Sequence, residues 1–246
     1  MKLLGLSLQI HKWIGLVVGL QVLFWTVGGL VMTAIPIERV RSEHHLRKLS
    51  PPPLTADLLG VGDALRRSGV TAPVSAQLKS APRGPVWVVE GREGEPRTLD
   101  ARAGSPVAPL TAAQARRLAA AAYVGRGRPV GSRYFAEAPQ ETGREGPLWR
   151  VDFDDAERTS FYLSPDTGEV VTRRSQVWRF YDFFWRLHIL DFKTGENFNH
   201  PLIIVLAALT LPMVFTGFIL LWIRLGRDLA RSLRRARPRP LQAGQR

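Results

Sequence analysis

The chain has no cysteine. Disulfides, thiolate nucleophiles, cysteine-ligated zinc and thiolate-bound iron–sulfur clusters are therefore all excluded. It is also short of acids: 21 Asp and Glu stand against 34 Lys and Arg, for a net charge of +13. Hydrolytic and nucleotide-binding signatures are missing as well. There is no Gly-x-Ser-x-Gly elbow, no His-Glu-x-x-His pair and no Walker loop. Gly125-Arg-Gly127-Arg-Pro-Val-Gly131 has the look of a phosphate loop, but it follows a helical pattern instead of a strand and its glycine spacing is wrong. It reads as the turn between a helix and a sheet.

Two uncharged apolar runs bracket the rest, Trp13–Ile35 and Pro201–Ile223. Each is about 23 residues, roughly 34 Å as a helix, which is enough to cross a bilayer core with some tilt. The reading is a two-span membrane protein with one polar, turn-rich domain between the spans. No small-x-small cleavage site follows the first run before Pro36, so it reads as an uncleaved anchor and not as a signal peptide.

Charge sets the expected orientation. Beyond Ile223 come Arg224, Arg227, Arg231, Arg234, Arg235, Arg237, Arg239 and Arg246, against the single acid Asp228. The tail begins where the second run ends, so it reads as a topology signal touching anionic lipid, with no nucleic-acid partner. With Lys2 and Lys12 it places both termini in the cytoplasm. Arg39, Arg41, Arg47 and Lys48 argue the other way, but a long folded loop translocates largely regardless of its charge. The central domain is then periplasmic, and a disulfide-free exported domain suits a bacterial inner membrane.

The expected organisation is as follows. Residues 1–36 hold the cytoplasmic N-terminus and first span, and 37–53 a linker stiffened by Pro51-Pro52-Pro53. Residues 54–110 and 111–174 form two repeats. Residues 175–199 form an interfacial aromatic helix and loop, 200–223 the second span, and 224–246 the basic tail. In the first repeat a helix is expected from Thr55, with Asp57 near its positive end and Gly69 at its stop, then strands Val74–Lys79, Val86–Glu90 and Arg97–Asp100. In the second, Thr111-Ala-Ala-Gln114 is a capping box, followed by strands Gly131–Phe135, Trp149–Phe153, Thr159–Leu163 and Val170–Val171. Val86-Trp87-Val88-Val89-Glu90 matches Leu148-Trp149-Arg150-Val151-Asp152, and Asp100–Gly104 matches Pro165–Gly168 as the turn into a final strand. Trp87 and Trp149 read as core residues. Asp152, Asp154 and Asp155 read as a solvated turn, with calcium ligation the weaker alternative because the loop spacing is incomplete. The fold class is α+β: two transmembrane helices flanking a domain of two helix-plus-antiparallel-sheet repeats.

The five histidines are His11, His44, His45, His188 and His200. All fall near a span boundary, none in the domain's centre. They suit either of two roles, side chains at headgroup depth beside Trp13, Trp178 and Trp185, or neutral imidazole ligands of a b-type haem. His11 precedes the first span and His200 the second, so most of a bilayer separates them and they cannot share one iron. His188 lies on the aromatic stretch Gln176–Phe192, which reads as a helix in the interface. His188, His200 and the His44-His45 pair are expected at the periplasmic face, leaving His11 to find a partner in a second copy or another membrane subunit. His11, Gly15, Val18, Val22, Trp25 and Gly29 share one helical face, with Gly15 and Gly19 forming a small-xxx-small pair suited to close helix approach. Gln21, in mid-span, is suited to hydrogen-bonding across helices.

Four segments together resemble the PepSY-associated transmembrane proteins. They are Leu8-Gln-Ile-His11-Lys-Trp-Ile-Gly15-Leu, the strand pair Leu148–Phe153 and Thr159–Leu163 with its Ser164-Pro-Asp-Thr-Gly168-Glu-Val close, Trp185-Arg-Leu-His188 with Gly195 downstream, and Thr216-Gly217-Phe-Ile-Leu-Leu-Trp222. The resemblance implies a PepSY-like α+β unit outside the membrane and a place near iron uptake. Larger relatives resemble b-haem proteins that reduce ferric siderophores, with about four spans instead of two; a homodimer would restore four. This implies haem b as cofactor with His11, His188 and His200 as its candidate ligands, and a role as a ferric reductase component or accessory. The same resemblance allows a rival, a non-enzymatic periplasmic module that binds peptides or restrains an envelope peptidase.

Overall fold

The structure is a computed structural model that describes residues 2–92, 94, 96–197 and 199–236. The arginines of the tail from Arg237 onward lie outside the described residues. In chain order the elements are α1 (Lys2–Ala34), α2 (Ile37–Val40), a 3-10 turn (Glu43–His45), α3 (Val61–Ser68), β1 (Pro73–Ala81), β2 (Gly84–Gly91), β3 (Arg97–Asp100), α4 (Ala112–Ala122), β4 (Pro129–Phe135), a second 3-10 turn (Gln140–Thr142), β5 (Leu148–Phe153), β6 (Ser160–Leu163), β7 (Val170–Arg174), α5 (Gln176–Ile189) and α6 (Pro201–Ala236). They divide into two compact units, Met1–Ala34 with Phe183–Arg246, and Ile35–Asp182.

The first unit is built on α1 and α6. Both are long and apolar enough to cross a bilayer, over Gly5–Ala34 and Pro201–Ser232. α1 stops one residue before Ile35, because a residue preceding proline is pushed out of the helical region, here by Pro36. α6 opens on Pro201, whose missing N–H costs nothing at a first turn. Pro212 sits inside α6, where it removes a ladder hydrogen bond. The Thr216 hydroxyl donates back to the Pro212 carbonyl at 2.7 Å, a local i to i−4 bond within the helix. Leu16, Leu20, Phe215, Phe218 and Trp222 stand exposed along the two helices, as lipid-facing residues should.

The second unit holds two antiparallel sheets, β1-β2-β3 and β4-β5-β6-β7, each with one helix against it. The likeness between its halves reaches single hydrogen bonds. Trp87 on β2 donates its indole N–H to the Leu59 carbonyl at 3.0 Å, and Trp149 on β5 donates to the Leu110 carbonyl at 2.8 Å. Each carbonyl lies two residues before its helix begins. Each tryptophan thus fills its sheet's apolar face while fixing the entry of its helix. Gly104 (φ 70°) and Gly168 (φ 73°) close equivalent turns in the left-handed region, donating to the carbonyls of Asp100 and Ser164.

The Thr111–Gln114 capping box forms as expected. The first helix does not start where expected. α3 begins at Val61 with Gly60 as N-cap, and Thr55 lies well outside it. The Thr55 hydroxyl is spent on the Asp57 carboxylate, and Asp57 in turn holds Arg102 at 3.1 Å, so neither side chain caps a helix. The first half also lacks a full final strand. Only an isolated bridge, Leu99 to Pro106, pairs there, because Pro106 and Pro109 cannot donate to a ladder.

Asp155 is another departure. The expected solvated turn is a hydrogen-bonded corner: the Asp155 carboxylate accepts from the Tyr123 hydroxyl at 2.9 Å, the Thr159 hydroxyl at 2.6 Å and the Thr159 N–H at 2.7 Å. Burial, reinforced by that carboxylate, pushes the Tyr123 hydroxyl up to about 12. Asp152 accepts from Arg150 and Ser160, and Asp154 from the backbone of Arg128. These bonds hold Asp155 in place and engage one oxygen each of Asp152 and Asp154.

Candidate functional site

His11 lies on α1 and turns toward α6. Its Nδ1 is 3.1 Å from the Met213 carbonyl and 3.2 Å from the Thr216 hydroxyl. A carbonyl only accepts, so the proton sits on Nδ1 and the Nε2 of the neutral ring keeps its lone pair. Gly217 lies beside the ring: a Cβ there would touch His11 Cε1 at 3.4 Å. Met213 and the back-bonding Thr216, just beyond Pro212, thus frame His11 in the α1–α6 contact.

His188 lies near the end of α5 and packs against α1. Its Cβ and Nδ1 stand 3.7 Å from where a Cβ on Gly28 would be, so the ring lies in van der Waals reach of α1 at this residue. Trp25 donates its indole N–H to the His188 carbonyl at 2.7 Å, and its ring lies 6.3 Å from the imidazole. Gln21, 8% exposed, donates to the Leu187 carbonyl at 3.4 Å. The Nδ1 of His188 itself is buried without a hydrogen-bond partner. A buried ring nitrogen without a partner carries a real desolvation cost.

Beyond α5, Leu190 takes a left-handed φ of 56° and turns the chain into a loop organised by Asp191. This carboxylate accepts from the Thr194 hydroxyl and from the N–H groups of Lys193, Thr194, Gly195, Glu196 and Asn197. The Thr194 hydroxyl first, and the backbone donors with it, hold Asp191 well below the usual carboxylate range. Trp185 donates to the Gly195 carbonyl at 2.9 Å, which ties the loop back to α5.

His200 caps α6. Its Nδ1 accepts from the Leu202 N–H at 3.3 Å, and its carbonyl receives the first helical bonds from Ile203 and Ile204. Gly28 lies seventeen residues beyond His11 on α1, and His200 sixteen residues before Thr216 on α6. At helical rise each is about 25 Å from the His11 contact. Within one chain His11 shares no site with either.

The family model described as PepSY-associated TM region matches residues 8–243. The chain belongs to this family. No curated protein and no solved structure matches it. The two apolar helices of this PepSY-associated TM protein are accordingly membrane-embedded, with lipid as their surroundings.

Sequence reasoning picked the histidines and missed their surroundings. The glycine pair Gly15 and Gly19 meets nothing in the structure; a Cβ on either would enter open space, as it would on Gly29. The contact face of α1 is turned away from them, toward Ser7, Val18, Gln21 and Gly28. Glycine spacing alone does not say which face is covered; Gln21, buried in mid-span, lies on the covered one and Thr26 does not.

Proposed function

We propose that this PepSY-associated TM protein is an inner-membrane, haem-associated electron-transfer or accessory component of ferric-siderophore acquisition. The observation that carries the reading is the pair of imidazoles packed on the membrane helix α1 at opposite ends, His11 against α6 and His188 against Gly28. The chain's residues fit a b-haem in a specific sense. His11 donates Nδ1–H to a carbonyl and offers Nε2, the usual arrangement of a metal-bound histidine. His188 keeps a buried ring nitrogen without a partner. His200 is the reserve candidate, since capping engages one of its nitrogens only.

When bound, haem would supply one-electron transfer. The chain's own part is to hold each ring and exclude water with the apolar faces of α1 and α6. Each membrane level offers one histidine from α1 or its contacts, so a second copy or another subunit supplies the matching ligand. The exposed face with Gly15 and Gly19 is free for that approach. Peptide binding or peptidase restraint by the central unit is the rival.

The test is the dithionite-reduced minus oxidised spectrum of protein purified in detergent from haem-replete cells. Wild type should show b-type bands. His11→Ala and His188→Ala should each lose about half of the haem with unchanged membrane insertion. No bands in wild type, or full haem in both variants, would overturn the reading and favour the rival.

The orientation proposed is cytoplasmic termini and a periplasmic central unit, supported by the basic residues after the second span, Arg224, Arg227 and Arg231. A phosphatase reporter inserted near Gly104, between the exposed Arg102 and Ala103 of the same turn, should be active only if exported. Activity from a fusion after Arg246 and none near Gly104 would reverse the assignment.

A further inference from the structure

The central unit gathers three metal-type donors that the haem reading does not use. His44 and His45 occupy the 3-10 turn Glu43–His45, which follows Ser42 in a left-handed conformation (φ 52°). His45 is pinned to the end of α4: the Val124 N–H donates to the His45 carbonyl at 2.8 Å, and the ring stacks on Tyr123 at 5.5 Å between centroids. Its Nδ1 lies 3.3 Å from the Val124 carbonyl, which can only accept. That places the proton on Nδ1 and aims Nε2 away from α4.

What Nε2 meets is negative. Glu157 Oε2 is 3.5 Å away and Asp155 Oδ2 3.7 Å, and His44 Nε2 lies 3.7 Å from the same Glu157 oxygen. Both His45 Nε2 and Glu157 Oε2 are buried without a hydrogen-bond partner. A neutral imidazole lone pair facing two carboxylates is repelled by both. The arrangement needs a positive charge between them.

We propose that His44 Nε2, His45 Nε2 and Glu157 Oε2 bind a divalent transition-metal ion of the zinc type. The three donor atoms lie within 4.8 Å of one another. Ligands at 2.0–2.2 Å around a tetrahedral ion stand about 3.4 Å apart; Glu157 Oε2 is already 3.5 and 3.7 Å from the two imidazole nitrogens, and a turn of the half-exposed His44 ring brings the histidine pair together. Two imidazoles and one carboxylate are the donor set of borderline ions and not of calcium or magnesium. The Val124 carbonyl orients His45, and Arg39, 3.6 Å from Glu157 Oε1, occupies the other oxygen and leaves Oε2 to the ion. Asp155 stays outside, held by Tyr123 and Thr159, and adds a second negative charge. The fourth position faces the open cleft lined by Pro36, Glu38, Arg39, His44 and Glu157, so an exchangeable ligand can reach it.

The test is calorimetric titration of Zn2+ into full-length protein in detergent, stripped with chelator. It does not depend on haem, because the readout is heat and stoichiometry. Wild type should bind one ion per chain and gain thermal stability on binding. His45→Ala and Glu157→Gln should each weaken binding by on the order of 100-fold, while Asp63→Asn, on α3, should leave it unchanged. His44→Ala, on a half-exposed ring, gives the same reading should His45→Ala fail to fold. No binding would show that the cluster is an imidazolium–carboxylate pair. One ion per chain with equal affinity in wild type and these variants would place the metal elsewhere. Either result overturns the proposal.

Discussion

Phe161→Ala should cost the central unit about 3–5 kcal/mol, because a fully buried phenyl leaves a cavity that its neighbours cannot fill. Phe161 is 0% exposed on β6. It meets Phe153 edge-on at 5.1 Å and Tyr123 at 5.8 Å, and Tyr123 in turn stacks on Phe153 at 4.1 Å. These rings cover Ala115, Ala119 and Ala122 of α4, whose small side chains let the helix lie close on the sheet. Since a domain of this size is stable by only about 5–15 kcal/mol, the loss is a large share of the whole. Val130→Ala, on the exposed outer strand β4, should change stability by less than about 0.5 kcal/mol. The measurement is chemical denaturation of the full-length protein in detergent, followed by near-ultraviolet circular dichroism. A cost below about 1 kcal/mol for Phe161→Ala would show that the ring is not the centre of this core.

Features set by neighbouring residues were legible in the chain. The two spans follow from uncharged length alone, and the strand positions from alternation and turn residues. The Thr111–Gln114 box needed only its four residues. The repeat was visible because Trp87 and Trp149 do the same task at the same place in each sheet. The failures share another cause. Thr55 and Asp57 look like a helix start until Arg102, forty-five residues on, takes the Asp57 carboxylate. Gly28 and Gly15 are alike in composition, and only the placing of α5 decides which is covered. Glu157 stands far along the chain from His45, and no local pattern links a hairpin glutamate to a turn histidine. Partner choice over such separations is a tertiary property, settled by how the elements pack and not by propensity.

Glu141→Ala should destabilise the central unit by roughly 3–5 kcal/mol at neutral pH, since it leaves partly buried cations without their counter-charge. Glu141 sits in the second 3-10 turn, and its carboxylate gathers three elements. The Tyr162 hydroxyl donates to Oε1, Arg179 donates from Nε to Oε2 at 3.1 Å and from Nη2 to Oε1 at 3.3 Å, and Arg150 Nη1 approaches Oε1 at 3.8 Å. Arg174 joins through the backbone, donating to the Glu141 and Thr142 carbonyls with its guanidinium 4.1 Å from the Trp178 ring. Burial alone would raise the Glu141 carboxyl; the Tyr162 hydroxyl and Arg179 outweigh it and hold the group below its ordinary range. A folded-state value below the unfolded one means stability that is present above the unfolded value of about 4.5 and is lost as pH falls through the folded value. Glu141→Gln keeps an acceptor for Tyr162 but removes the charge, and should cost about 2–3 kcal/mol at pH 7. The gap between wild type and Glu141→Gln should then shrink as the pH is lowered below about 4, because protonation makes the wild-type side chain neutral as well. Denaturation midpoints of both proteins from pH 7 to pH 3 measure this directly. A gap that stays constant with pH would mean that the arginines, which also hold backbone carbonyls and the Trp178 face, gain little from the carboxylate.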